Sequence, residues 1–314
     1  MTQSTLETTL APPSLPAASD EHRSETRGML LGLAAVALFS LTLPFTRMAV
    51  AELDPLFVSL ARAVGAALLA GAWLRWKGTP RPPRTALPAL AVVALGCIIG
   101  FPLLTSIAMR TLPASHGAVL IGVLPLCTAL YSALRGHERP SGGFWALALL
   151  GSGLVVTFAL TQGDGRFEPA DLLMFAAVLS AAAGYAEGGR LARDMGGRET
   201  ISWALVLAAL PSAVLLAVLD PGQFARLGAV GTRAWLGLGY TTVFSTIVGF
   251  FFWYRGLALG GVARVGQVQL VQPFLSLGGA WLLLGEPLTA ANCGFALAII
   301  GVVAAGRRMQ VRTR

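Results

Sequence analysis

The sequence predicts an all-α integral membrane protein of ten transmembrane helices, arranged as two inverted five-helix repeats with both termini in the cytoplasm. Three observations carry this prediction: a composition too apolar for a water-soluble globule, about ten apolar runs of spanning length, and punctuating residues that recur at one fixed offset. Of the 314 residues, 55% are hydrophobic and 12% charged, and mean hydropathy is +0.70. A soluble fold of this make-up would lack the polar surface to cover itself.

A spanning helix needs about 20 mostly apolar residues, because roughly 1.5 Å of rise per residue must cross about 30 Å of hydrocarbon. Such runs lie at 29–49, 56–76, 86–109, 113–134, 142–161, 169–191, 200–219, 233–255, 262–284 and 289–306. They hold few charges and lack the alternating period of a membrane barrel. Helices are then the form in which every backbone group finds a partner. Residues 1–27, rich in Ser, Thr, Pro and Ala and without an apolar core, are expected to be a disordered cytoplasmic tail rather than a signal peptide. Residues 28–161 form the first repeat, 169–306 the second, and 307–314 a short basic tail. The connections are short, which leaves no room for a soluble catalytic or nucleotide-binding domain.

The repeat is visible in single residues. Glu138 and Glu286 stand 148 residues apart, and Pro125 with Pro273 and Gly153 with Gly301 keep the same offset. Five runs separate one copy from the next, so the second copy enters the membrane from the opposite side. Two similar inverted halves can exchange conformations and expose one central site to each side in turn. Orientation follows from the basic residues, since Lys and Arg are retained on the cytoplasmic side. With the N-terminus inside, only Arg47, Arg110, Arg166, Arg226 and Arg233 lie outside. Arg62 falls within the second run, and the other 17 of the 23 Lys and Arg lie inside. Topology thus accounts for the net charge of +8 and the pI near 10.4, and no nucleic-acid partner is expected.

The segments "AMRTLPASHGAVLIGVLPLCTALYSALRGHERPSGGFWALALLGSGLVV" and "GLALGGVARVGQVQLVQPFLSLGGAWLLLGEPLTAANCGFALAIIGVV" share a Pro within the helix, a Glu at its end and a Gly-rich helix after it. Both resemble the second half of an EamA domain. "LFSLTLPFTRMAV" and "AAAGYAEGGRLAR" resemble the opening helix of that domain and place Arg47 and Arg190 at its recurrent basic position. The doubled pattern resembles the drug/metabolite transporter superfamily over residues 29–306, and within it the YddG-type exporters of aromatic and other amino acids. The first copy departs from the pattern at "RGHERP". The resemblance implies a central cavity and export of a small solute by alternating access at the plasma membrane.

Candidate cavity residues follow from helical spacing. In the eighth run Thr242, Ser245, Thr246, Gly249 and Trp253 share one α-helical face; in the ninth Gly266, Gln269, Gln272, Pro273 and Ser276 do so. Two glutamines in a bilayer core are costly unless they face protein or a wet cavity. The 148-residue offset maps Gln269 and Gln272 onto Ile121 and Leu124. An amide wall facing an apolar wall suits an amino acid with an apolar or aromatic side chain. Phe101, Tyr185 and Ser40 complete the expected lining. Pro44, Pro102, Pro125 and Pro273 are expected to kink helices along the path, each freeing a carbonyl four residues earlier. Gly96 with Gly100 and Gly184 with Gly188 are spaced for close helix approach.

Charged residues near the membrane are few. Glu187 stands three residues before Arg190, a spacing that permits an intrahelical pair, and with His116 and Arg47 these are the candidate charged modulators. Glu138 and Glu286 are expected at helix ends, each near the positive N-terminus of the next helix. Cys97, Cys127 and Cys293 fall in three separate runs, and the histidines are His22, His116 and His137. No spacing suggests a disulfide framework, zinc, a hydrolase or a nucleotide-binding loop. No catalytic residue, metal or cofactor is therefore expected; the partners are the lipid bilayer and a small-molecule solute, with monomer and homodimer both open. Efflux of drugs or organic cations is the alternative, against which stands the lack of an acidic residue placed to receive a cation. A receptor or scaffold is a third class, and would not require inverted repeats.

The topology is open to test by labelling single cysteines in intact cells with an impermeant reagent. A cysteine at position 166 is expected to react and one at position 81 to be protected; the reverse pattern would overturn the assignment.

Overall fold

The computed structural model describes residues 18–135, 138–140, 142–162, 168–218, 221–260, 265–308 and 311–313. Helix α1 runs over Ala18–Ser40, breaks at Leu41 and continues as Thr42–Val50. It is followed by α2 (Pro55–Lys77), α3 (Arg84–Ala108), α4 (Ala114–Leu134), α5 (Gly142–Gln162), α6 (Pro169–Met195), α7 (Gly197–Ala217) and α8 (Thr232–Gly260). Then come α9, which comprises Gly266–Val271 and Gln272–Leu284, and α10 (Ala290–Arg308). Helix α1 starts within the stretch expected to be a disordered tail, where "SDEHRSE" supplies acidic residues to its first turns.

Among the described residues seven helices are long and apolar enough to cross a membrane: Thr26–Val50, α2, α3, α4, α6, α7 and α8. Three of the ten expected spans are represented by shorter apolar helices, Trp145–Phe158, Val268–Leu284 and Ala290–Ala305. Residues 261–264 of the ninth run lie outside the described residues. The fold is not wholly helical. Strand β1 (Glu138–Pro140) pairs antiparallel with β2 (Val311–Thr313) in the expected basic tail. Pro140 has no N–H to place in a ladder, which suits so short an edge strand.

Local chemistry sets the helix ends. Asp54 accepts hydrogen bonds from the Leu56 and Phe57 amides (2.8 and 3.3 Å) ahead of Pro55, so α2 begins with a capped first turn. Gly285 closes α9 at φ +69°, a left-handed conformation that glycine adopts without penalty.

Packing keeps the repeat. Helix α1 packs on α8 and α9, and the equivalent α6 packs on α3 and α4; α2 pairs with α7, α4 with α9 and α5 with α10. The irregular backbone repeats as well. Segment Ala94–Gly100 of α3 is a π-helix; shifted by 148 residues it falls within the π-helix Thr241–Gly249 of α8. All four kink prolines sit at helix discontinuities: Pro44 after the break at Leu41, Pro102 after the π-segment, Pro125 after the turn at Gly122–Val123, and Pro273 after the 3₁₀ turn Gly266–Val271.

Small residues allow the closest crossings. A Cβ at Gly96 would meet the Ser180 carbonyl at 2.5 Å, and one at Gly184 would overlap Cys97 Sγ, so α3 and α6 touch at backbone distance. Gly188 is filled in turn by the Tyr254 ring, whose hydroxyl donates to the Gly184 carbonyl at 3.1 Å. Gly184→Val is expected to destabilise the purified protein by about 1–3 kcal/mol through overpacking. Gly301→Ala, at a glycine with nothing within 4 Å, should be neutral or slightly stabilising. Unfolding of the two variants in detergent, followed side by side, checks the contrast.

Candidate functional site

The centre of the bundle is built around a charge. Arg62 of α2 is only 4% exposed. Its Nε donates to Thr246 Oγ1 at 2.6 Å and its Nη2 to Ser245 Oγ at 3.3 Å, while Thr42 Oγ1 lies 2.8 Å from the same Ser245 hydroxyl. Consecutive residues Ser245 and Thr246 both reach Arg62 because they lie in the π-helical part of α8, where Thr246 Oγ1 donates to the Thr241 carbonyl five residues back at 2.8 Å. None of the ion pairs among the described residues involves Arg62. A buried guanidinium satisfied by hydroxyls alone is a strong attractor for an anion.

Arg62 lines a nearly closed chamber together with Phe39, Thr42, Cys97, Phe101, Ile121, Leu124, Ala181, Tyr185, Ser245, Phe250 and Gln272. Its free volume is about 20 Å³, room for about one water. Arg62, Thr42, Ser245, Gln272, Tyr185 and Cys97 bring polar groups to its lining, and the other residues are apolar. Three of the lining rings, Phe39, Tyr185 and Phe250, form a cluster with Trp253, with Phe39–Phe250 centroids 5.0 Å and Tyr185–Trp253 centroids 5.5 Å apart.

Six residues expected from spacing, Phe101, Ile121, Leu124, Tyr185, Ser245 and Gln272, come together in this chamber. Six others do not line it. Thr242 donates to the Leu238 carbonyl and Ser40 to the Val36 carbonyl. Thr246 supports Arg62 from behind, and Trp253 belongs to the ring cluster. Gln269 and Ser276 are buried elsewhere along α9, and Gln269 Nε2 has no partner. The departures in α8 and α9 share a cause: a face drawn at 3.6 residues per turn does not survive a π-helix in α8 or a 3₁₀ turn in α9, where Gln269 and Gln272 are about 6 Å apart along the axis. Arg62 itself was missed, although a lone arginine inside an apolar run is a signal for a functional position.

Charged residues close both ends. Glu286 accepts from the Ala114 and Ser115 amides, each at 2.8 Å, and pairs with Arg47 Nε at 3.5 Å. The carboxylate thus caps α4, packed beside α9, and not the following α10 as expected. Gly285 supplies the reason, since its left-handed turn swings Glu286 back across α4. Arg47 also donates to the Leu112 carbonyl. The counterpart Glu138 has its side chain outside the described residues. At the other end Glu187 pairs with Arg190 at 3.1 Å and with Arg135 at 3.0 Å. His116 Nε2 is 2.7 Å from Asp171 Oδ1, both buried, at the start of α6. Among the described residues no group of three His, Cys, Asp or Glu could hold a metal.

Comparison with known proteins agrees with this doubled architecture. A model of the EamA-like transporter family matches residues 26–159 and again residues 168–306. The chain is 44% identical over 283 residues to YdeK, an uncharacterized transporter of Bacillus subtilis (strain 168), covering 90% of this chain and 98% of that one. It is 27% identical over 245 residues to a probable terminal-alkyne amino-acid exporter of Streptantibioticus cattleyicolor, covering 76% of this chain and 79% of the relative. A solved crystal structure superposes with a TM-score of 0.64 at 21% identity, over 90% of this chain and 96% of that one, a likeness of fold alone.

Because Glu286 ties α9 to the amides of α4, Glu286→Gln is expected to lower stability by about 1.5–3 kcal/mol, the range of hydrogen bonds to a charged group. Its amide oxygen cannot carry the charge that both amides and Arg47 share. Solute affinity should change by less than about threefold; a loss of binding in a normally folded variant would show that Glu286 belongs to the solute site.

Proposed function

The chain belongs to the EamA-like transporter family, and from that premise we propose that it exports amino acids and related small metabolites, apolar and aromatic ones included, by alternating access through the chamber around Arg62. Members of the family are transporters, so the work of the molecule is movement of a small solute and not catalysis. The observation that carries the substrate reading is the buried Arg62, which has no carboxylate partner among the described residues. A solute carboxylate seated there would pair with the guanidinium, and Thr42, Ser245 and Gln272 would bond its remaining polar atoms. Phe39, Phe101, Ile121 and Leu124 would cover its side chain. The relative named as an amino-acid exporter and the resemblance to YddG-type exporters support the same reading.

The alternative of drug or organic-cation efflux fits less well, since a cation brought to this chamber would meet Arg62 and, among the described residues of the lining, no acid. Ten spans in two inverted repeats at the plasma membrane, with both termini in the cytoplasm, complete the proposal. Pro44, Pro102, Pro125 and Pro273 lie where the helices are already interrupted, and these joints would let the chamber open. Gln269, one turn from Gln272 and with its Nε2 unpartnered, would meet the solute on its way in or out.

Titrating phenylalanine and its decarboxylated amine into purified protein tests this directly. Phenylalanine is expected to bind in preference to the amine. Arg62→Gln should weaken its affinity about ten- to a hundredfold, the equivalent of 1.5–3 kcal/mol for a charged hydrogen bond. Gln272→Ala should cost about three- to tenfold, as for a neutral one. Tight binding of the amine with no binding of the acid would favour cation efflux instead.

A further inference from the structure

A second site lies away from the chamber. At the end of the bundle that carries the basic loops, a cavity of about 730 Å³ opens between the last turn of α2, the loop after it, the start of α7 and the end of α8. Its walls include Trp73, Lys77, Arg81, Arg198, Trp203 and Arg255. Four cations share it with one carboxylate, Glu199, and no ion pair among the described residues involves any of the four. Two donors there are buried and without a partner, Arg198 Nε and Trp203 Nε1. The Arg198 guanidinium is also held over the Phe251 ring, 5.9 Å from its centroid.

Orphaned buried donors are costly, and each calls for an explanation, a bound water or ion among them. Here the two orphans are N–H groups on residues that wall a positively charged cavity, and the partner that fits such a wall is an acceptor-rich anion. A phosphate offers several oxygens to donors converging from different helices, and a guanidinium matches it well. The cavity has the size of a small-molecule site. It also stands at the depth where the spans end, beside the 77% exposed Trp76, whose ring carries Lys77 Nζ 4.5 Å from its centroid. Aromatic and basic residues at that depth belong to the headgroup layer, where basic pockets between helices hold phosphate headgroups.

We propose that this cavity is a binding site for a phosphate-bearing anion, held among Lys77, Arg81, Arg198 and Arg255, with the buried Arg198 Nε and Trp203 Nε1 as donors that become its partners on binding. The lipid headgroup is the source that its depth favours. The site is separate from the chamber and does not depend on which solute is transported.

Full-length protein in neutral detergent, titrated in parallel with short-chain phosphatidylglycerol, short-chain phosphatidylcholine and inorganic phosphate, tests the proposal through the thermal transition and tryptophan fluorescence. Saturable stabilisation by phosphatidylglycerol is expected, with phosphatidylcholine much weaker because its phosphate is already paired with choline. The double variant Arg198→Gln/Trp203→Phe should need about tenfold more phosphatidylglycerol or worse, while binding phenylalanine within threefold of the parent. Arg255→Gln, at an exposed position that cannot disturb the core, should weaken phosphatidylglycerol about threefold and keeps the test open should the double variant fold poorly. Equal saturation by inorganic phosphate with the same sensitivity to the variants would support the site and assign it to a soluble phosphate. The absence of a saturable response to either anionic probe, or variants that respond like the parent, would overturn it.

Discussion

A guanidinium held in the middle of an apolar bundle, with no carboxylate partner among the described residues, is the constraint on which the rest of this structure depends. Removing Arg62 from water is expensive, and hydroxyl dipoles offset that cost only in part. To bring even two hydroxyls to it, α8 abandons the α-helix: the π-segment Thr241–Gly249 turns Ser245 and Thr246 toward α2 together. Irregular backbone at membrane depth is tolerated only where protein or a cavity satisfies the freed groups. The π-turns of α3 and α8 and the proline joints of α4 and α9 belong to helices that supply the chamber wall. Distortion of the helices and polarity of the centre are thus two aspects of one arrangement.

Around that centre the two ends are held by carboxylates of different kinds. Glu286 acts on a helix terminus, adding its charge where α4 has unpaired amides and drawing in Arg47 from α1. Glu187 acts on side chains, gathering Arg135 from α4 and Arg190 from its own helix. Both sets of contacts link α4 to another helix, so α4 is fastened at each end while its middle is jointed at Pro125. In the described state the chamber has room for about one water. On the proposed alternating-access reading, a solute would enter when one fastening loosened, and the pseudo-symmetry of the halves would let the two fastenings alternate.

Much of this was legible in the sequence. Composition, run lengths and the 148-residue offset were enough for a membrane protein in two related halves, because hydrophobicity and helix punctuation act locally and leave a periodic record. The glycines at 96 and 184 likewise announced close packing by their spacing alone. What stayed hidden was anything that depended on departure from the ideal helix. Thr242 and Trp253 look cofacial with Ser245 at 3.6 residues per turn and are not, because the turn between them is wider. Glu286 was expected to cap its sequence neighbour, but a left-handed glycine carried it to a helix 172 residues away. Arg62 was set aside as a residue without a side of the membrane, when its isolation in an apolar run was the most informative single fact in the second helix.

The central claim is that Arg62 receives the carboxylate of the transported solute. Solid-state NMR dipolar recoupling between a ¹³C-carboxylate amino acid and ¹⁵N-arginine protein in lipid, with Arg62→Gln used to assign the signal, measures that contact itself. The account predicts a carbon-to-nitrogen distance of about 4 Å, an ion-pair separation, and its disappearance in the variant. A bound carboxylate that shows no dephasing by arginine, or the same dephasing in Arg62→Gln, would contradict it.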